Sequence, residues 1–245
     1  MLKRLTAQLA SAAALTTLAA CGTATSSTGA PTSDTSAKDT QPPASTPASP
    51  SASTSTAASG ACTYSPDAQG AAKKVNPPPS KPTVKGKVDV TMKTTLGDLH
   101  ATLDAGKTPC TVNSFVSLAK QGFYDNTPCH RLTTAGIFVL QCGDPTGQGT
   151  GGPGYTVPDE LSGKETYGPG TLAMANTGQP NSGGSQFFIV YKNTPLPPSY
   201  AVFGKVDKAG VKTVAKAAKK GTDNAFGQGD GHPKVKSVIN SVTVG

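Results

Sequence analysis

Three stretches of this chain gather side chains that could do chemistry. The first is Cys129-His130-Arg131-Leu132, followed after a short loop by Phe138-Val139-Leu140-Gln141-Cys142-Gly143-Asp144. The second runs from Met174-Ala175-Asn176 to Gln186-Phe187-Phe188-Ile189, and the third from Leu196 through Tyr200 to Val206. Together they offer a guanidinium, carboxamides and apolar rings. Arg131 is permanently charged and presents a rigid planar fork of donors. Gln141 and Gln186 can hydrogen-bond without ionising. No nucleophile stands beside a base, so the residues point to holding and polarising a ligand rather than to covalent attack. His100, His130 and His232 lack metal-ligand spacing and no Cys-x-x-Cys occurs, so no metal is expected. Residues Gly147 to Gly154 are rich in glycine, but no helix follows and no Gly-Lys-Ser/Thr ends the run. That run is therefore read as a long surface loop, not a phosphate cradle.

Short strands and two helices must position these groups. Val88-Asp89-Val90-Thr91-Met92 alternates with period two, as a half-buried strand does. Leu96 to Leu99 supplies a turn and Leu99 to Leu103 the returning strand. Thr108-Pro109 reads as N-cap and first residue of a helix that buries Val112, Phe115, Val116 and Ala119 and stops at Gly122. Further strands are expected at 129–133, 137–142, 171–175, 186–191, 201–206 and 235–244, with a second helix over about 209–219. Lys208, Lys212, Lys216 and Lys220 recur every four residues there, as the solvated face of a helix whose Val211, Val214 and Ala218 turn inward. Many short strands with long glycine-rich connections suggest a closed antiparallel barrel.

The chain has 245 residues, 28 of them Gly and 21 Pro, with 35% hydrophobic and 15% charged residues. The apolar share is low for a globular domain, so part of the chain is expected to lie outside any core. No apolar run reaches the roughly 18 residues that span a bilayer, which excludes a polytopic membrane protein. The net charge of +8 favours acidic surroundings. Aromatics do not interleave with the basic residues, so nucleic acid is not an expected partner. Lys3-Arg4, a small apolar stretch from Leu5 and then Leu18-Ala19-Ala20-Cys21 resemble a bacterial secretory signal ending in a lipobox. That resemblance implies removal of residues 1–20, a lipid on Cys21 and an extracytoplasmic protein anchored to the cell membrane. Gly22 to Gly60 is Ser, Thr, Ala, Pro and Gly except for Asp34, Lys38, Asp39 and Gln41, and reads as a disordered spacer. Residues 61–83, with Pro77-Pro78-Pro79 and Pro82, read as its extended continuation, so that 21–83 forms a linker and 84–245 the folded domain. Cys62, Cys110, Cys129 and Cys142 remain, an even number that in an exported chain suggests two disulfides with three possible connectivities.

The three stretches, in their order and spacing, are similar to those of the cyclophilin family of peptidyl-prolyl isomerases, and the resemblance covers about 84–244. It implies a mainly β fold: a closed eight-stranded antiparallel barrel capped by two helices. It also implies isomerase activity on proline-containing peptides and unfolded exported proteins, with no cofactor and as a monomer. By the same match Arg131 is the donor to the twisted amide, Gln141 assists it, and Phe138, Val139, Phe188 and Leu196 line a proline pocket. His130, Gly149, Ala175, Asn176, Gln186 and Tyr200 fall on positions that contact the substrate.

The chain departs from the family pattern at several positions. Thr133 to Ile137 is about two residues longer than in many relatives. Cys129 replaces an aromatic, Tyr200 a histidine, and Pro195 a tryptophan that contacts cyclosporin. On the hairpin that the resemblance implies, Cys129 and Cys142 face each other beside the site, which leaves Cys62 to pair with Cys110. The rival expectation is a cyclophilin-like module that binds proline peptides with little turnover.

Overall fold

Alternation of apolar and polar residues builds most of this structure, a computed structural model that describes residues 60–245. The signal-like segment, Cys21 and nearly all of the Ser/Thr/Ala/Pro-rich spacer lie outside the described residues. In chain order the elements are β1 Ser65–Ala71, β2 Lys87–Thr94, β3 Gly97–Asp104, α1 Pro109–Lys120, β4 Thr127–Pro128, β5 Arg131–Thr133 and β6 Val139–Cys142. There follow β7 Pro153–Thr156, β8 Thr171–Met174, β9 Phe187–Val190, β10 Val202–Val206, α2 Lys208–Ala218, β11 Asp230–Gly231 and β12 Val238–Val244. Ten strands form one antiparallel sheet in the order β11-β5-β6-β9-β8-β10-β3-β2-β12-β4. Strands β4 and β5 lie on one run of chain. Its first part pairs with β12 and its second with β6, so the ends of the order meet and the sheet curls on itself. Counting that run once and leaving out the two-residue β11 recovers the eight-stranded barrel.

Val88, Val90 and Met92 of β2 lie opposite Leu103, Ala101 and Leu99 of β3, and all six are buried in the core. Strands with period two bury one face in this way and leave the other free. Helix α1 lays Phe115 against the barrel contents: its ring stacks on Tyr124 at 4.9 Å and meets Phe187 and Phe203, each at 5.5 Å. Helix α2 starts where Asp207 accepts the Gly210 N–H at 2.7 Å, an ordinary side-chain cap. Both helices lie close to the expected ranges.

Thr108 and Pro109 take the N-cap and first helical positions of α1, as the sequence indicates, but another residue satisfies the free N–H groups. Thr108 makes no side-chain capping bond. Glu160, from a distant loop, accepts the N–H of Cys110 at 2.9 Å and of Thr111 at 2.8 Å. A carboxylate at a helix N-terminus satisfies two free donors and meets the positive end of the dipole. Burial pushes the Glu160 carboxyl above its ordinary range, and the two N–H bonds only partly offset that.

The segment before Val84 also differs from the expected linker. Cys62 is bonded to Cys110, and Tyr64 donates to the Cys110 carbonyl at 3.0 Å. Strand β1 pairs with β7 in a separate two-stranded sheet. The Lys73 ammonium donates to the carbonyls of Phe123 and Asp125 beyond the end of α1. Strand β1 is mostly exposed and has no apolar alternation, so pairing and the disulfide hold it, not a buried face. Glu160→Ala is expected to lower unfolding free energy by about 1–2 kcal/mol, the usual cost of losing a helix cap. Thr108→Ala, which removes no capping bond, costs less; urea unfolding of the two variants checks the order.

Candidate active site

Antiparallel register decides which side chains share a face, because directly opposed residues project to the same side. Arg131 of β5 lies opposite Gln141 of β6, Gln141 opposite Phe188 of β9, Phe188 opposite Ala173 of β8, and Ala173 opposite Val202 of β10. One row across five strands therefore carries a fork, a carboxamide and an apolar ring. The neighbouring row, Leu132, Leu140, Ile189 and Leu172, points the other way and is buried in the core. The Arg131 row thus lies on the outer face of the barrel.

A second apolar cluster sits on that outer face. Val139, Tyr167, Ala173, Phe188 and Val190 are buried in it, and Ile137, Ala175, Leu196, Tyr200 and Val202 pack on them while keeping some exposure. The Phe188 ring meets Tyr200 edge-on at 5.3 Å and Tyr167 at 6.2 Å. The Tyr167 hydroxyl donates to the Tyr200 carbonyl and accepts the Tyr200 N–H, both at 3.0 Å, which fixes the segment carrying Leu196 and Tyr200. Asn176 donates to the Ser199 carbonyl at 2.8 Å and ties the same segment to the end of β8.

The amides are oriented by a loop. Asp144 is fully buried and accepts N–H bonds from Thr146 at 2.7 Å, Gly149 at 2.7 Å and Gly151 at 3.0 Å. Burial works to raise the Asp144 carboxyl, but these bonds and the Thr146 hydroxyl prevail and hold it below its ordinary value. The loop so folded turns the carbonyls of Gly149 and Gly151 toward Gln186, whose Nε2 donates to them at 2.9 and 3.1 Å. The Gln186 Oε1 then accepts from Gln141 Nε2 at 2.9 Å. Carbonyls can only accept, so this chain of bonds sets the orientation of both amides and leaves Gln141 Oε1 without a protein donor among the described residues. Gly143 makes the approach possible: at φ 96° it occupies left-handed backbone, and a Cβ there would collide with the Ser185 carbonyl.

Arg131 is half-exposed and gripped on one edge by Asp230. Its Nε donates to Asp230 Oδ1 at 2.8 Å and its Nη2 to Oδ2 at 2.6 Å. The hydrogen bond to Asp230 raises its pKa further, against the opposing effect of burial. The Nη1 donors have no partner among the described residues.

Most of the expected site residues meet here, and two are placed otherwise. Phe138 falls on the opposite parity from Val139. Its ring lies edge-on to Tyr191 at 6.0 Å, with the Lys192 ammonium 4.3 Å above it, outside the Phe188 cluster. His130 is buried under the Asp144 loop: a Cβ on Gly149 would lie 3.4 Å from its ring. Its Nδ1 has no hydrogen-bond partner among the described residues. The Cys129–Cys142 disulfide is present, and both its sulfurs' residues belong to the core, so it ties the site strands from beneath. The sequence reading missed Asp230, Tyr167, Ile137 and Val202. Asp230 stands between glycines 99 residues from Arg131, and no local pattern marks it. A cavity of about 960 Å³ between α2 and the outer face of β2 and β3 contains none of these residues.

Such a barrel places an oriented amide–guanidinium row beside an apolar cluster, an arrangement suited to hydrogen-bonding and apolar contact with a ligand. The family model described as cyclophilin type peptidyl-prolyl cis-trans isomerase/CLD matches residues 88–244, and the chain belongs to this family. It is 46% identical over 196 residues to the probable peptidyl-prolyl cis-trans isomerase B of Mycobacterium leprae (strain TN), covering 74% of this chain and 65% of that protein. The protein of the same name in Mycobacterium tuberculosis (strain ATCC 25618 / H37Rv) is also 46% identical, with 63% of its length covered. The chain therefore spans just under two thirds of these relatives. The crystal structure of a Cryptosporidium parvum cyclophilin type peptidyl-prolyl cis-trans isomerase matches with a TM-score of 0.57 at 32% identity, covering 65% of this chain and 98% of that one. A second structure of that protein, in the presence of the dipeptide Ala-Pro, matches with a TM-score of 0.55 at 31% identity, covering 64% and 98%.

His130 gives the site a pH signature. Burial lowers its pKa below the ordinary 6.5; Asp144 opposes this, while Arg131 and His232 add to it. The unfolded chain therefore binds the proton more readily than the folded one, and stability rises with pH across that window. The contribution is complete above about pH 6.5 and is lost as pH falls through the folded value. Urea midpoints between about pH 7.5 and 5 are expected to fall, and His130→Gln is expected to flatten the slope.

Proposed function

We propose that this protein is a peptidyl-prolyl cis-trans isomerase that assists the folding of exported proteins. The observation that carries the reading is the shared row of Arg131, Gln141 and Phe188 on the outer face. Rotation about an Xaa-Pro bond must cross a barrier of about 18–20 kcal/mol because resonance keeps the amide planar. No bond to the substrate is made or broken, so the site has only to bind the twisted amide better than either planar form. In the twisted state the proline nitrogen becomes pyramidal and gains a lone pair. A donor fixed beside it is used only then, which is what lowers the barrier.

The free Nη1 edge of Arg131 supplies that donor. Phe188 and Val139, with Leu196 and Tyr200 on the rim, take the proline ring and exclude water that would compete for it. Gln141 Oε1 is turned to accept a substrate N–H, and Ala175 and Asn176 offer backbone groups to the extended peptide. The Ala-Pro dipeptide named with the Cryptosporidium parvum structure suits a slot of this kind. Phe138, seated on Tyr191, contributes to the edge of the slot rather than its floor.

Export and anchoring belong to the same reading. Residues 1–20 serve as the signal, Cys21 carries the lipid, and the spacer reaches the barrel through residues 62–83. The Cys62–Cys110 and Cys129–Cys142 disulfides suit an oxidising compartment. The second reading, a proline-peptide binding module with little turnover, draws on the Arg131–Asp230 pair, which offsets part of the fork's charge.

Cis-to-trans conversion of an Ala-Pro-Phe peptide decides between them. The purified protein is expected to accelerate it, and Arg131→Ala to cut kcat/KM by tenfold or more, about 1.4 kcal/mol of transition-state stabilisation. Peptide binding without acceleration would establish the second reading. Cys21→Ser is expected to move the protein from the membrane to the soluble fraction and abolish labelling by palmitate.

A further inference from the structure

We propose that Asp230 is a positioning residue for the isomerase reaction: it locks the Arg131 fork with its free edge toward the Phe188 cluster. This rests on the reading of Arg131 as the donor. The pair has the geometry that makes carboxylate–guanidinium contacts specific, with two parallel bonds of 2.8 and 2.6 Å to Nε and Nη2. An ordinary surface ion pair contributes little, because two long side chains must be ordered in water. Here the carboxylate side is already ordered. Asp230 lies in β11, opposite Thr133 of β5, so it stands on the strand paired with the one that carries Arg131. The loop that delivers it is pinned at both ends: Thr134 N–H donates to the Gly229 carbonyl at 2.7 Å, and Asp223 accepts the N–H of His232 at 2.8 Å and of Ala225 at 3.1 Å. Asn224 Oδ1 accepts the Gly229 N–H at 2.8 Å. The five-residue loop Thr133 to Ile137, longer than the family pattern, is the partner to which Gly229 is fastened.

The arrangement divides the labour of one guanidinium. Nε and Nη2 face the carboxylate, and Nη1 is left to the substrate. Asp230 offsets part of the positive charge, so its benefit must come from orientation: a side chain with several free torsions is held before the substrate arrives, and the ordering is not demanded in the transition state. A lysine ammonium has no rigid planar fork, so a clamp on one of its donors would not aim the others. Among 22 Lys and Arg residues the chain has only two arginines, Arg4 and Arg131, and only Arg131 lies in the described residues.

Steady-state isomerase kinetics of Asp230→Ala, Asp230→Asn, Arg131→Ala and the Arg131→Ala/Asp230→Ala double variant test this. The expected result is a five- to twentyfold fall in kcat for Asp230→Ala with KM within twofold, and recovery of at least half the loss by Asp230→Asn, which keeps an acceptor in place. In the Arg131→Ala background the Asp230 substitution is expected to change nothing, because a positioning residue acts through its partner. The NMR signal of the Arg131 Nε–H gives a readout independent of activity: slow exchange with solvent in the parent protein, fast exchange in Asp230→Ala. That measurement on Asp230→Asn and the parent keeps the test decisive if Asp230→Ala does not fold. Faster or unchanged turnover in Asp230→Ala overturns the proposal, as does a loss that persists without Arg131 or a parent Nε–H in fast exchange. Full activity in Arg131→Ala removes the donor reading and this proposal together, whereas loss there with a silent Asp230→Ala removes this proposal alone.

Discussion

Strand register is the constraint on which the site depends. Arg131, Gln141, Phe188, Ala173 and Val202 come from five strands and are brought into line only because each pair of neighbours is hydrogen-bonded in one alignment. A slip of one residue in any pair would send one partner's side chains to the opposite face. The buried row beside it prevents that slip. Leu132, Leu140, Ile189 and Leu172 fill the barrel in the same register, so shifting β6 by one place would push Leu140 into water and Gln141 into the core. Core packing and site geometry are two faces of one alignment. The Cys129–Cys142 disulfide, inside the barrel, adds a covalent tie between the same strands.

Much of the fold was legible where this alternation is written locally. The β2–β3 hairpin and both helices follow from period-two and helical spacing, because each buries one apolar face, whereas β8 and β9 are short runs buried at every position. The first strand was not legible. Ser65–Ala71 is polar and exposed along nearly its whole length, and its order comes from a disulfide 48 residues long in sequence and a pairing with residues near 155. The partner of the first N–H groups of α1 is hidden for a related reason. Thr108-Pro109 has the local signature, but a carboxylate with two free oxygens reaches the same N–H groups from Glu160 and a hydroxyl does not displace it.

The site divides in the same way. Motif order identified Arg131, Gln141, Gln186, Phe188, Leu196 and Tyr200, and these do gather on one face or pack against it. Motif order cannot state parity at a strand's end, and Phe138 shows the consequence: one position from Val139, it turns toward Tyr191 and Lys192. Nor can it reveal what holds a functional group from behind. The support of Gln186 comes from loop carbonyls shaped by a buried Asp144, and that of Arg131 from a carboxylate between glycines. Both supports are distant in sequence and chemically unremarkable where they stand.

The polar half of the site is therefore best understood as two relays that end at the apolar cluster. In one, the Asp144 carboxylate collects backbone N–H groups, the resulting loop presents carbonyls, Gln186 answers them, and Gln141 is left with an oxygen facing outward. In the other, the Asp230 carboxylate takes one edge of Arg131 and leaves it with donors facing outward. One relay exposes an acceptor and the other a donor, on adjacent strands and in one row. A planar amide presents both a donor and an acceptor along its backbone, while a twisted prolyl bond gains a new acceptor at nitrogen. A site whose acceptor and donor are each fixed before binding can hold the flanking backbone with the first and meet the new lone pair with the second. Fixed dipoles in a partly desolvated setting need no reorganisation as the bond turns, and in the proposed reaction this is the source of selectivity for the twisted state.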